Sequence, residues 1–213
     1  MKLTTKLPEF NEQHHQQLIE KGWTPLKEPK KLITSILLSI PFMIINVIIA
    51  IGVIHFSAGI YFRDFGIDSS SFTITINLMS LVLFFVLLII HEGIHLIFVP
   101  NFKKSDRTFV GVNWLVGFVY TEQSMTKRRF LLIALAPFLI LSIVLPFILG
   151  ALGLLTSTFK LLIIINAAAS SVDLLSSSLV GIQVPNQARM INNGVRSYWK
   201  KDEEAGSHTK SIG

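Results

Sequence analysis

The chain has 213 residues, 51% apolar and only 15% charged, and its apolar residues gather in long blocks. A soluble domain of this size intersperses its charges, so the pattern excludes an ordinary water-soluble globule and points to a polytopic membrane protein. The lack of cysteine removes disulfides and thiolate zinc sites, and the net charge of +6 sits beside the apolar blocks, which fits membrane anchoring rather than a nucleic-acid partner.

In chain order, residues 1–31 are polar and contain no apolar core, so no cleavable signal peptide is expected. A short amphipathic stretch from Asn11 to Lys21, followed by Gly22, Pro25 and Pro29, reads as a cytoplasmic helix and linker with Trp23 near the headgroup layer. Span one is expected over 32–54, with Pro41 kinking it or unwinding a turn. A loop with Tyr61, Arg63, Asp64, Asp68 and three serines leads to span two, 74–99. The segment 108–120 is rich in β-branched and aromatic residues but too short to cross a bilayer, so a short β-hairpin or re-entrant loop is expected there. Span three covers 130–152 with Pro137 and Pro146, span four covers 161–184, and the tail from Pro185 is polar. The expected fold is thus an all-α integral membrane protein: a cytoplasmic segment 1–31, a four-helix membrane domain 32–184 and a cytoplasmic tail 185–213.

Orientation follows from charge. Six Lys or Arg precede span one, six lie between spans two and three, and five follow span four, whereas the opposite loops hold only Arg63 and Lys160. The positive-inside rule then puts both termini and the 101–129 loop in the cytoplasm of a plasma-membrane, multi-pass protein. The clusters Lys30-Lys31, Lys103-Lys104 and Lys127-Arg128-Arg129 are read as topology anchors.

His91-Glu92-Gly93-Ile94-His95 lies near the cytoplasmic end of span two. Histidines four residues apart on a helix project from nearly one face, the spacing that grips a single zinc ion, with the adjacent glutamate placed to take a proton from the attacking water. Ionisable groups inside a span are costly and therefore functional suspects. A tetrahedral zinc needs a third protein ligand and leaves its fourth position to water. Span three as drawn has no ionisable residue and span one has only His55, at its outer end; span four has Asp173, roughly 16 Å from the cytoplasmic side. Asp173 is therefore the expected third ligand, beside His91 and His95, of one Zn2+ per chain. Glu92 is the expected general base. Asn166, seven residues before Asp173 and on nearly the same face, is a candidate donor to the developing oxyanion, with Ser170 as an alternative. His14 and His15 read as solvated helix residues and His55 as interfacial. The 108–120 segment is a candidate edge for binding an extended substrate by strand addition.

At these residues the chain resembles a bacterial family of small integral membrane proteins described as zincin peptidases. The resemblance is carried by Gly22-Trp23, Leu26 to Pro29, Ser39 to Pro41, His91 to His95, Ala134 to Pro137 and Asn166 to Asp173. It is also similar to intramembrane zinc proteases of the site-2 type, which pair such a motif with a distal Asp on a later span. Those proteins usually place a proline between the Asn and the Asp and a glycine after it; here no proline intervenes and Leu174 follows. The resemblance implies a zinc metallopeptidase acting on a membrane-associated peptide or protein. The alternative is a non-catalytic membrane protein, whether regulatory, immunity-related or transport-linked, whose buried His, Glu and Asp serve packing or ion binding.

Overall fold

The computed structural model describes residues 1–5, 9–67, 78–112 and 117–202. Four helical stretches are long and apolar enough to cross a membrane. The first, α2 (Leu32–Ala58), follows a short helix α1 (Glu12–Glu20) and runs for 27 residues, about 40 Å at helical rise. It passes through Pro41 as one continuous helix, so no turn is unwound there. Its flank carries Leu32, Ile33, Ile36, Leu37, Ile48 and Phe56 outward, apolar surface of the kind a lipid bilayer covers. The second stretch, α3 (Leu78–Phe98), buries little besides His91, Ile94 and His95; the expected start of span two at 74–77, like Asp68 and the serines before it, lies outside the described residues.

The other two stretches are irregular, and their irregularities matter most. The third comprises α4 (Lys127–Pro137), a π-helical segment Phe138–Val144 and α5 (Leu145–Ala151). Proline cannot donate the bond that would continue the α-helical ladder, and the wider π turns follow directly after it. The fourth is split into α6 (Ser157–Ala169) and α7 (Ser171–Gln183) at Ser170. The Ala167 carbonyl at the break accepts from Asn46 Nδ2 of α2 at 3.1 Å, since an orphan carbonyl in an apolar medium is costly. Ala50 and Ala167, both fully buried, share a core cluster with Ile54, Phe138 and Ile163. Small side chains at such a crossing allow the backbones to approach closely.

The expectation of an all-α chain is corrected: two small sheets cap one end of the bundle. In the first, β1 (Lys2–Leu3) lies parallel to β3 (Thr108–Val112), which pairs antiparallel with β4 (Gly117–Thr121). This β3–β4 pair is the strand form expected between spans two and three. The second sheet has the order β2-β7-β6-β5, joining Thr24–Pro25, Arg196–Lys201, Ala188–Asn193 and Met125–Thr126. Its centre is the β6–β7 hairpin, in the segment expected as a polar tail. The two residues between its strands are Gly194 and Val195, a loop with glycine at its first position, and the Asn193-Gly194 dipeptide in the sequence is a hairpin signal. Gly194 adopts φ +57°, and a Cβ there would meet the Phe10 nitrogen at 2.5 Å. In β6 the alternate positions Ala188 and Met190 are buried, and with Leu26, Val180 and Val184 they form a second core at the helix ends. Helix α1 docks on the hairpin: Asn11 caps it, accepting from His14 N–H at 2.9 Å, and His15 Nδ1 lies 2.8 Å from the buried Tyr198 hydroxyl. His15 is thus a packing residue rather than a solvated one.

The helical limits shift as well. Span one ends at Ala58, span three begins at Lys127, and span four begins at Ser157. The early start of span three has a cause. Thr126 caps α4, and the Lys127 ammonium is buried against the Gly181 and Val184 carbonyls at 3.1 and 2.6 Å. Arg129 Nε donates to the Phe98 carbonyl at 2.7 Å. These two cations satisfy the C-terminal ends of α7 and α3, where the helix dipole also favours positive charge. They are packed structural residues, not only charges on a membrane face.

Candidate metal centre

His91 and His95 lie one helical turn apart near the C-terminal end of α3, 8% and 9% exposed, with ring centroids 5.0 Å apart. Each ring has one nitrogen already engaged. His91 Nδ1 lies 2.8 Å from Asn166 Oδ1, and His95 Nδ1 lies 2.7 Å from the Ile133 carbonyl. Both partners are acceptors, so both Nδ1 atoms carry the proton and each neutral ring is left with a lone pair on Nε2. The two Nε2 atoms face Asp173.

The break at Ser170 makes Asp173 part of the first turn of α7, where the exposed amide dipoles favour a carboxylate. Its Oδ2 lies 3.5 Å from His91 Nε2 and 3.6 Å from His95 Nε2. These separations are too long for good hydrogen bonds. They match two ligands of one tetrahedral ion: donors at about 2.0–2.2 Å from zinc stand about 3.3–3.6 Å apart. All three candidate ligand atoms lie within 4.8 Å of one another. The donor set, two neutral imidazoles and a carboxylate, is one that suits zinc, and each imidazole has the outer hydrogen bond typical of metal ligands. The Asp173 side chain is 26% exposed against 10–11% for the histidines, so the cluster is open on the Asp173 side.

Glu92 does not join this group. Its carboxylate turns to the sheet and accepts from the Val119 N–H of β4. A Cβ on Gly117 would fall 2.7 Å from the Glu92 Cγ, so only glycine lets the strand lie this close. Val119 donates away from β3, which makes this the outer edge of the three-stranded sheet.

Asn166 is fully engaged and buried. Besides holding His91 through Oδ1, it donates from Nδ2 to Ser142 Oγ at 2.9 Å and to the Pro137 carbonyl at 3.4 Å. In this arrangement it is a partner of His91, with no amide proton left over for an oxyanion. Ser170 Oγ is likewise spent on the Asn166 carbonyl at 2.9 Å. Sequence reasoning missed Ser142, the Ile133 carbonyl, Gly117 and Val119. Of these, only the Ile133 carbonyl had a signal, a proline four residues later.

A family model described as "Putative zincin peptidase" matches residues 84–189. Over this segment, just under half of its length, the chain is similar to that family. The match takes in the His91–His95 motif, all of β4, the irregular third stretch and Asp173. No curated protein and no solved structure matches the chain.

Proposed function

We propose that this chain is a membrane-embedded zinc metallopeptidase that hydrolyses a peptide bond in a membrane-associated peptide or protein. The observation that carries the reading is the spacing of His91 Nε2, His95 Nε2 and Asp173 Oδ2. They stand too far apart to bond one another, and at the separation of three ligands on one ion. Held there, zinc supplies Lewis acidity, lowering the pKa of a water and polarising the scissile carbonyl. Glu92, adjacent to the ligands, takes the proton of the attacking water as the new C–O bond forms and delivers it to the leaving amine as the C–N bond breaks. It must first leave Val119, and that exchange frees the N–H of a strand edge. An extended substrate segment adds to the edge of β4 at that point.

The topology belongs to the same proposal. The two sheets gather β1 and β2, β3 to β5 and the β6–β7 hairpin at one end, and the excess of Lys and Arg in the segments around them supports a cytoplasmic location for that end. The active site then lies in the cytoplasmic half of the plasma membrane, with access on the Asp173 side. Two measurements test the function. Purified protein is expected to carry one zinc per chain that His91→Ala and His95→Ala both lose. Glu92→Gln is expected to keep the zinc and lose cleavage of a co-expressed membrane substrate by about 10²–10⁴-fold. Normal cleavage by Glu92→Gln would overturn the mechanism, and metal-free wild-type protein would favour a packing role for the cluster.

A further inference from the structure

The proposed zinc ligands depend on an irregularity in a helix that contributes no ligand, and the inference drawn from it rests on the metallopeptidase reading. In a regular α-helix the N–H of residue 137 would bond the carbonyl of residue 133. Pro137 has no N–H, so the Ile133 carbonyl is released. In a lipid-like interior a released carbonyl needs another donor, and the one present is His95 Nδ1–H at 2.7 Å. Directly after Pro137 the backbone continues as the π segment Phe138–Val144, and a second set of contacts begins there. The Pro137 carbonyl and Ser142 Oγ both receive Asn166 Nδ2, and Asn166 Oδ1 holds His91 Nδ1 at 2.8 Å. Ser142 is fully buried, and its own hydroxyl proton goes to the Ile163 carbonyl of α6 at 3.3 Å.

We infer that Pro137 is the positioning residue of the metal centre: it frees the carbonyl that orients His95 and opens the π segment that anchors Asn166 on His91. Two branches leave one proline, and each fixes one imidazole with its Nε2 toward Asp173. The device suits its surroundings. A helix interior offers no spare acceptors, and a polar side chain introduced to hold His95 would need its own partners. A carbonyl made vacant by proline is rigid, already buried and acceptor-only, so it also sets the tautomer.

The test uses the full-length protein in detergent, read by zinc competition against a chelator and by the visible spectrum of the cobalt-substituted form, which reports ligand geometry without turnover. Pro137→Ala supplies an N–H that competes with His95 for the Ile133 carbonyl. Loss of an outer hydrogen bond of this kind costs about 10–100-fold in metal affinity, and that loss is expected here together with an altered cobalt spectrum. Pro41→Ala, which fills the same kind of vacancy in α2, is expected to leave both unchanged. Ser142→Ala and Asn166→Ala leave Pro137 and the Ile133 carbonyl as they are, and they decide the branch through Asn166 if Pro137→Ala fails to fold. Each is expected to weaken zinc binding, and the double variant to be no weaker than Asn166→Ala, since Ser142 acts through Asn166. Wild-type affinity and spectrum in Pro137→Ala, or in Asn166→Ala, would overturn the inference while leaving the metallopeptidase reading intact. Wild-type protein that takes up no zinc would remove both.

Discussion

Two partly buried acids in this molecule have opposite surroundings. Asp64, between the first two membrane-length helices, is closed on itself: its Oδ2 meets Lys160 Nζ at 2.7 Å and the Tyr61 N–H at 2.9 Å, and its Oδ1 accepts from Ser157 Oγ at 2.9 Å. Asp173, in the other half of the bundle, faces two imidazole nitrogens at 3.5 and 3.6 Å and bonds neither well. One carboxylate has its cation; the other has a space for one. The two acids cannot be sorted by residue type, since both are flanked by potential cations. The separation does the sorting: 2.7 Å marks a finished ion pair, and 3.5–3.6 Å marks two sides of a metal site.

Substitutions that exchange the fates of these two acids test the contrast. The largest effect is expected from Asp173→Ala, which should weaken zinc by more than about 100-fold, beyond the range for outer partners. The thermal stability of the metal-free protein should hardly change, because no close bond is lost; a large drop in its melting temperature would mean that Asp173 is structural. Asp64→Asn should do the reverse. Both side chains of its pair are at most 10% exposed, and leaving Lys160 uncompensated is expected to cost about 3 kcal/mol in denaturant titrations, with the zinc affinity of the folded fraction unchanged. Gly117→Ala sharpens the contrast from the sheet side. The added methyl displaces Glu92, so cleavage should fall about tenfold with zinc retained, a loss of fine placement only; loss of the metal instead would show that β4 supports the ligands.

The smallest effect is in acid. Burial pushes the Asp64 carboxyl up, but the Lys160 ammonium, the Tyr61 amide and the Ser157 hydroxyl outweigh it and hold the group below the usual carboxylate range. A depressed folded pKa contributes stability above the unfolded value, about 3.9, and loses it as pH falls through the folded value. Melting of zinc-free wild-type protein should therefore drop below about pH 4 more steeply than that of Asp64→Asn. Parallel acid limbs would remove this role from Asp64.

What could be read in the sequence was set by how local each feature is. His91, Glu92 and His95 share one helical turn, so helix geometry alone grouped them. Asp173 emerged by elimination among few intramembrane acids. Asn166 was visible as a polar residue, but its bond to His91 depends on how α6 meets α3, and no spacing encodes that. Pro137 shows in the sequence only as a proline inside span three, although its effect is chemical, through a carbonyl four residues earlier. The β6–β7 hairpin has a signal in Asn193-Gly194, but its strands, Ala-Arg-Met-Ile-Asn-Asn and Arg-Ser-Tyr-Trp-Lys-Lys, carry too many polar residues to read as buried strands. One face of β6 rests on the helix ends, which do not show in its own composition.

The position of Asp173 in the final membrane-length stretch has a consequence for biosynthesis. The histidines and Glu92 leave the ribosome early, while the proposed third ligand follows only with α7, and the strand pair that locks the N-terminal segment comes after it. A nascent chain holding two and a half spans has the motif but no complete metal site. On the proposed ligand set, proteolytic competence therefore waits for α7, and a chain that stalls before it is inert.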